Sequence, residues 1–230
     1  MTLVSTEWLN NNLSKVKIFD ASWHMSSSER DAKKEYSEKH IPGAIFWDLD
    51  EHSKKNTPYP HMMTNSNYWT KMLWKFGITN NEHIIVYDYS YQYSACRLWF
   101  ALKYFGHKKV SILNGGFQKW MKEKKPITYK IDKVEQINSY RTNENSDWIK
   151  NKKQIDENIK NNSFVLVDAR SPERFEGKVE EPRTGLKKGC IPGSKNIHFR
   201  NCINFETNTF RTKSELINIF KANNIDYYKP

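Results

Sequence analysis

The side chain best suited to attack through sulfur is scarce here. Cysteine occurs three times in 230 residues, at positions 96, 190 and 202. An odd number at wide spacing suits neither a disulfide framework nor a zinc site, and it fits a reducing interior. A thiol attacks only as its thiolate, so a reactive cysteine needs surroundings that favour negative charge. Cys96 lies beside the stripe Leu98, Leu102 and Phe105, whose spacing predicts a helix closed by Gly106. There it reads as a small buried apolar residue rather than a nucleophile.

The elements that would position such chemistry repeat. IFDASW is followed by HIPGA, which starts 22 residues after it does, and LVDARS is followed by CIPGS. Asp20 and Asp168 are offset by 148 and Pro42 and Pro192 by 150, the mark of two copies of one supersecondary plan. The first copy reads as a helix around 6–13 capped by Ser5, then a strand at 16–19. A helix opened by Ser66 carries Trp69, Met72, Leu73 and Phe76 on one face, and Gly77 closes it. Ile84–Tyr87 and Val110–Leu113 are short apolar runs that predict buried parallel strands, and Gly115-Gly116 turns into a last helix at 117–121. Alternating strands and helices of these lengths argue an α/β fold with a parallel central sheet.

Residues 125–146 are polar and weakly periodic, a linker between a first domain at 1–124 and a second at 147–230. Ile127, Ile131 and Val134 are its expected anchors to the surface. In the second copy, Ser146 or Asp147 is expected to cap a helix containing Ile155 and Ile159, and Phe164–Val167 is the expected first strand. Thr212-Lys213-Ser214-Glu215 is a capping box for a helix carrying Leu216, Ile219 and Phe220. Asn223 and Asn224 answer Gly77, and Ile225 answers Ile78 at an offset of 147. By that count the twin of the central strand falls at 231, so the second domain is expected to be incomplete here.

Net charge is +11, from 37 basic and 26 acidic residues. The lysines are scattered in short pairs among asparagines and isoleucines, which argues against a nucleic-acid patch. Neither a secretory signal nor a run of about 18 apolar residues is present, so a cytoplasmic protein without membrane contact is expected.

The ordered motifs resemble a known family. D-A-S-W, E-Y-x-x-x-H-I-P-G-A, F-x-D-x-D, P-H-M, D-x-S…S-A-x-R, G-H-K-x-V and L-N-G-G-F-x-x-W are similar to the first domain of two-domain rhodanese-type sulfurtransferases. V-D-A-R-S…R-F-x-G…E-P-R…G-L…I-P-G-S…N-I is similar to the start of the second. The resemblance implies tandem rhodanese-like domains, the first non-catalytic, with no cofactor. The implied chemistry moves a sulfane sulfur from 3-mercaptopyruvate or thiosulfate to a thiol or cyanide through a cysteine persulfide. That cysteine would sit where the second central strand runs into a helix N-terminus, whose N–H groups and dipole favour a thiolate and an anionic donor.

Asp88 stands at that position in the first copy, and a carboxylate cannot accept a sulfane sulfur. Counting 147 from Asp88 places the nucleophile near 235, so the chain as given is expected to lack it and to be inactive alone. Arg174 and Arg183 match two arginines that grip the donor's carboxylate and carbonyl, a task suited to a guanidinium fork. Asp50 and His61 match a carboxylate and histidine assigned to proton handling, with a structural inter-domain pair as the other reading. His40 and Asp20 read as structural. Cys190 replaces the family's usual histidine before I-P-G, in a turn that does not need the imidazole. A non-catalytic anion-binding protein, or a degenerate gene product, remains the alternative to a sulfurtransferase.

Overall fold

The computed structural model describes residues 2–183 and 185–225. Packing divides the chain into two units, Met1–Trp148 and Ile149–Pro230. Among the described residues, no helix is long and apolar enough to cross a membrane.

The first unit holds a five-stranded sheet built from β1 (Leu3–Val4), β2 (Lys17–Asp20), β3 (Ala44–Phe46), β4 (Ile84–Tyr87) and β5 (Val110–Leu113). Their spatial order is β1-β5-β4-β2-β3, and every pairing is parallel. All residues of β4 and β5 are buried, as continuous β-branched runs covered on both faces must be. The helices are α1 (Thr6–Asn10), α2 (Ala32–Glu38), α3 (Ser66–Lys75), α4 (Ala95–Tyr104) and α5 (Gly116–Lys122). Trp69, Met72 and Leu73 of α3 and Leu98 and Leu102 of α4 are buried, the faces their spacing marks. The α3 cap is Asn65, whose side chain accepts from the Tyr68 N–H, and Ser66 is already helical. Gly77 ends the helix at φ +61°, where an added Cβ would lie 2.6 Å from the Glu135 carbonyl oxygen.

β3 is an edge strand, and a tyrosine closes it. The buried Tyr36 hydroxyl, from α2, donates to Ala44 O at 2.7 Å, and the Phe46 N–H faces the hydroxyl oxygen itself. One side chain thus occupies two backbone groups that would otherwise invite another strand.

Residues 125–145 lie on the first unit through their backbone. His40 and Thr128 exchange N–H···O bonds of 2.8 and 2.9 Å, Ile137 N donates to Trp74 O, and Asn143 N donates to Phe105 O. Tyr140 is the buried anchor; of the expected ones, Val134 is half-buried beside Gly77, whereas Ile127 and Ile131 are exposed. Backbone hydrogen bonds carry no residue signature, so a polar sequence can adhere without an apolar period.

The second unit repeats the first in register. β6 (Val167–Asp168) pairs in parallel with β7 (Lys195–Asn196), placing Asp168 opposite Asn196 as Asp20 lies opposite Phe46. Ile197 N donates to Asp168 O where Trp47 N donates to Asp20 O. Helix α6 (Lys152–Asn161) is capped by Asn151 in a capping box with Gln154, and residues 146–148 form a separate 3₁₀ turn. Ser146 and Asp147 are therefore not its caps. Between β6 and β7 lies the one-turn helix α7 (Pro172–Phe175). A hairpin of β8 (Ile203–Asn204) and β9 (Thr209–Phe210) leads to α8 (Lys213–Ala222), opened by the expected Thr212–Glu215 box. Asn224 has φ +53°, and Ile225 N donates to Phe220 O as Ile78 N donates to Leu73 O.

Tyr36→Phe removes the hydroxyl and leaves two buried backbone groups at the β3 edge without it. The expected loss is about 1–3 kcal/mol of unfolding free energy, measured in urea. An unchanged midpoint would mean that water replaces the hydroxyl.

Candidate active site

A parallel sheet collects the C-terminal ends of its strands on one side, and a crevice opens where successive connections leave in opposite directions. In the first unit that point lies beyond β2 and β4, and the protein fills it with its own groups. Ser22 donates from Oγ to Asp20 Oδ1 at 2.5 Å and accepts from Tyr89 N at 2.8 Å. Ser94 Oγ donates to Ala21 O at 2.6 Å and shares a hydrogen bond with Ser90.

Asp88 follows β4 and is buried. The N–H of Ala95, the first residue of α4, donates to its Oδ2 at 2.6 Å. Its carbonyl accepts from Phe117 N, and an added Cβ on Gly116 would meet that carbonyl at 2.6 Å, so a glycine at φ +56° is required there. Burial, assisted by the nearby Asp20 charge, pushes the Asp88 carboxyl up to about 7. Burial likewise raises Asp20. The loop that would cradle a nucleophile therefore holds an internal carboxyl.

None of the three cysteines has a nucleophile's surroundings. Cys96 lies in α4, where burial, and secondarily Asp88, push its thiol up to about 12. Burial also raises Cys202. Cys190 is exposed in the turn before Ile191-Pro192-Gly193.

The structure brings Asp50 and His61 together. Asp50 lies just past β3, and its Oδ1 is 2.8 Å from His61 Nε2. Its Oδ2 accepts a 2.8 Å bond from the indole N–H of Trp23, which follows β2. The Trp23 and His61 rings meet edge to face at 5.0 Å. Arg97, from α4, donates from Nη2 to the His61 carbonyl oxygen at 2.6 Å. His61 itself sits at φ +56°.

In the second unit Arg174, on α7, is tied to Glu181. Its Nε and Nη2 donate to the two carboxylate oxygens at 3.2 and 2.5 Å, which holds Glu181 below the usual carboxylate range. Arg170 adds a 2.8 Å bond to the same carboxylate while gripping Asp168 through Nε and Nη2. Glu181 is nearly inaccessible, at 4% side-chain exposure, whereas Arg174 keeps 32%. Arg183 is exposed. Trp23, Arg97 and Glu181 were not singled out from the sequence, although each lies inside a quoted motif: D-A-S-W, S-A-x-R and E-P-R.

Comparison with known proteins agrees with this architecture. The rhodanese-like domain model matches residues 5–123. Mouse 3-mercaptopyruvate sulfurtransferase is 37% identical over 99% of this chain and 79% of its own length. Bovine thiosulfate sulfurtransferase is 36% identical over the same shares. The chain belongs to the rhodanese family. Among solved structures, the 3-mercaptopyruvate sulfurtransferase SseA from Escherichia coli superposes with a TM-score of 0.89 at 29% identity, covering all of this chain and 87% of that one. Tum1 from Saccharomyces cerevisiae gives 0.88 at 26% identity, covering all of this chain and 83% of its own. In this rhodanese the α/β fold with a parallel central sheet is the family's, and its curated relatives transfer sulfur.

The Asp88 carboxyl carries a pH signature. Folded, it keeps its proton up to about pH 7, whereas an unfolded aspartate loses it near 4. Between those limits the folded state binds the extra proton, so this group stabilises the fold as pH falls from about 7.5 to 5.5. Asp88→Asn keeps an oxygen for the Ala95 N–H and removes the titration. The wild type should gain stability relative to the variant on acidification; parallel urea midpoints at both pH values would exclude Asp88 as the source.

Proposed function

We propose that this protein serves sulfur transfer of the 3-mercaptopyruvate type, with a small anionic sulfur donor and a thiol or cyanide acceptor. A cysteine thiolate attacks the donor's sulfur, the carbon–sulfur bond breaks, and the enolate of pyruvate leaves and takes a proton. The resulting persulfide passes its outer sulfur to the acceptor. The observation that carries this reading is Arg174. Glu181 takes its Nε–Nη2 edge and fixes the guanidinium, while the Nη1 end is not committed to that carboxylate. An arginine fixed in this way suits the carboxylate and carbonyl of 3-mercaptopyruvate, with Arg183 as the second contact. In the same reading Asp50 and His61 handle protons, and the unpaired cysteines fit a reducing compartment, the cytoplasm.

A second reading, an anion-binding protein without turnover, draws on the cysteines. A thiol pushed up to about 12, as Cys96 is, holds almost no thiolate at neutral pH. We assign the nucleophile to none of Cys96, Cys190 and Cys202.

Two measurements test the donor site and the assignment of the nucleophile to none of the three cysteines. Pyruvate, which shares the donor's carboxylate and carbonyl, should bind the 230-residue protein saturably, with Arg174 side-chain N–H resonances shifting. Arg174→Ala should weaken it at least tenfold, as expected from about 1.5–3 kcal/mol of charge-assisted hydrogen bonding; equal binding would remove Arg174 from the site. In a cyanide-trapping assay, the same polypeptide should yield no thiocyanate from 3-mercaptopyruvate or thiosulfate, and alkylating its cysteines should change nothing. Turnover abolished by Cys96→Ser would make Cys96 the nucleophile.

A further inference from the structure

We infer that Trp23 and Arg97 are positioning residues for the Asp50–His61 pair, and that Nδ1 of His61 is the nitrogen that exchanges a proton with a reacting group. The inference rests on the proposed proton-handling role of that pair and adds which atoms perform it and what holds them.

Asp50 is 65% exposed at its side chain. An exposed ion pair of this kind ordinarily contributes little and leaves both side chains free to rotate. Here the rotation is blocked from several directions. The Trp23 indole N–H takes Oδ2 of Asp50, leaving Oδ1 for His61 Nε2. The same indole lies edge-on to the imidazole, restricting its tilt. On the backbone, Asp50 N donates to Asp48 Oδ1 at 2.8 Å and Lys55 Nζ donates to Asp50 O at 2.5 Å. Arg97 holds the His61 carbonyl, and His61 adopts a left-handed φ of +56°. That conformation is uncommon for a non-glycine residue and is strained, so the contacts around it must over-determine it.

The consequence is chemical. A carboxylate accepts only, so the His61 nitrogen facing Asp50 is the protonated one. With Nε2–H directed to Oδ1, Nδ1 carries the lone pair in the neutral ring. Proton exchange with a substrate or an intervening hydroxyl then runs through Nδ1, while Asp50 stabilises the imidazolium that forms. This is how a third group sets tautomer and orientation in a relay. Trp23 acts on the reaction only through Asp50.

The test reads proton position rather than sulfur transfer. In the 230-residue protein labelled with ¹⁵N-histidine and ¹⁵N-tryptophan, long-range ¹H–¹⁵N spectra should place the neutral His61 proton on Nε2. That proton should exchange slowly enough to observe directly. Trp23→Phe keeps an edge-on ring and removes the donor; the His61 Nε2–H should then exchange at least tenfold faster, approaching the rate in Asp50→Ala. Arg97→Lys keeps a donor for the His61 carbonyl and should perturb exchange less than Arg97→Met. A neutral proton on Nδ1 would overturn the atom assignment. Exchange unchanged in Trp23→Phe but fast in Asp50→Ala would overturn the role of Trp23, and equal exchange in Arg97→Lys and Arg97→Met would overturn that of Arg97. Failure of the pyruvate or thiocyanate experiments would leave these spectra unaltered, so the two readings fail separately.

Discussion

The parallel pairing of β2 with β3 on one side and β4 on the other sets what the first unit can assemble. Parallel neighbours release their chains at the same end of the sheet. The residues after β2, β3 and β4 therefore emerge side by side, although 27 positions separate Trp23 from Asp50 and 36 separate His61 from Arg97. Side chains at these ends meet without any local sequence relation. Four buried residues in β4 anchor the arrangement, because their apolar surface is covered on both faces.

The same ends are used in two ways. Between β2 and β4 the crevice is closed by Asp20, Ser22, Asp88, Ser90 and Ser94, whose polar groups bond to one another and to backbone. Beyond β2 and β3, Asp50 and His61 remain accessible while their orientation is fixed from beneath. Burial separates the two: Asp88 is raised towards neutrality by loss of solvent, whereas Asp50 stays exposed.

The second unit carries the repeated plan at the level of hydrogen bonds. Asp168 opposite Asn196, Ile197 N on Asp168 O, and Ile225 N on Phe220 O copy contacts of the first unit at offsets of 147 to 150. Its own addition is the arginine–carboxylate group, in which Glu181 binds Arg170 and Arg174 together. A nearly inaccessible carboxylate shared by two guanidiniums restricts the orientation of both.

Much of this was legible in the residues. The runs Ile84–Tyr87 and Val110–Leu113, the faces of α3 and α4, the Thr212–Glu215 box and the double D-A…I-P-G plan follow from local pattern, because burial period and capping chemistry act over a few residues. Asn151 caps α6 although Ser146 and Asp147 offer the same chemistry five and four residues earlier, because residues 146–148 turn separately. In the 125–145 segment Ile127 and Ile131 stay exposed, because backbone bonds and the buried Tyr140 hold the chain rather than a period of apolar side chains. The sequence by itself determined the repeat, the strands β2, β4 and β5 and the candidate polar residues, Asp50, His61 and Arg174 among them, whereas β1 lay outside its pattern and β6 is Val167–Asp168 rather than Phe164–Val167. Only the tertiary structure decided that Trp23 takes one oxygen of Asp50, that Arg97 holds His61, that Glu181 fixes Arg174 and that Asp88 is cut off from water. Those outcomes depend on which distant segments a parallel sheet or a turn sets side by side, and no short-range pattern encodes them.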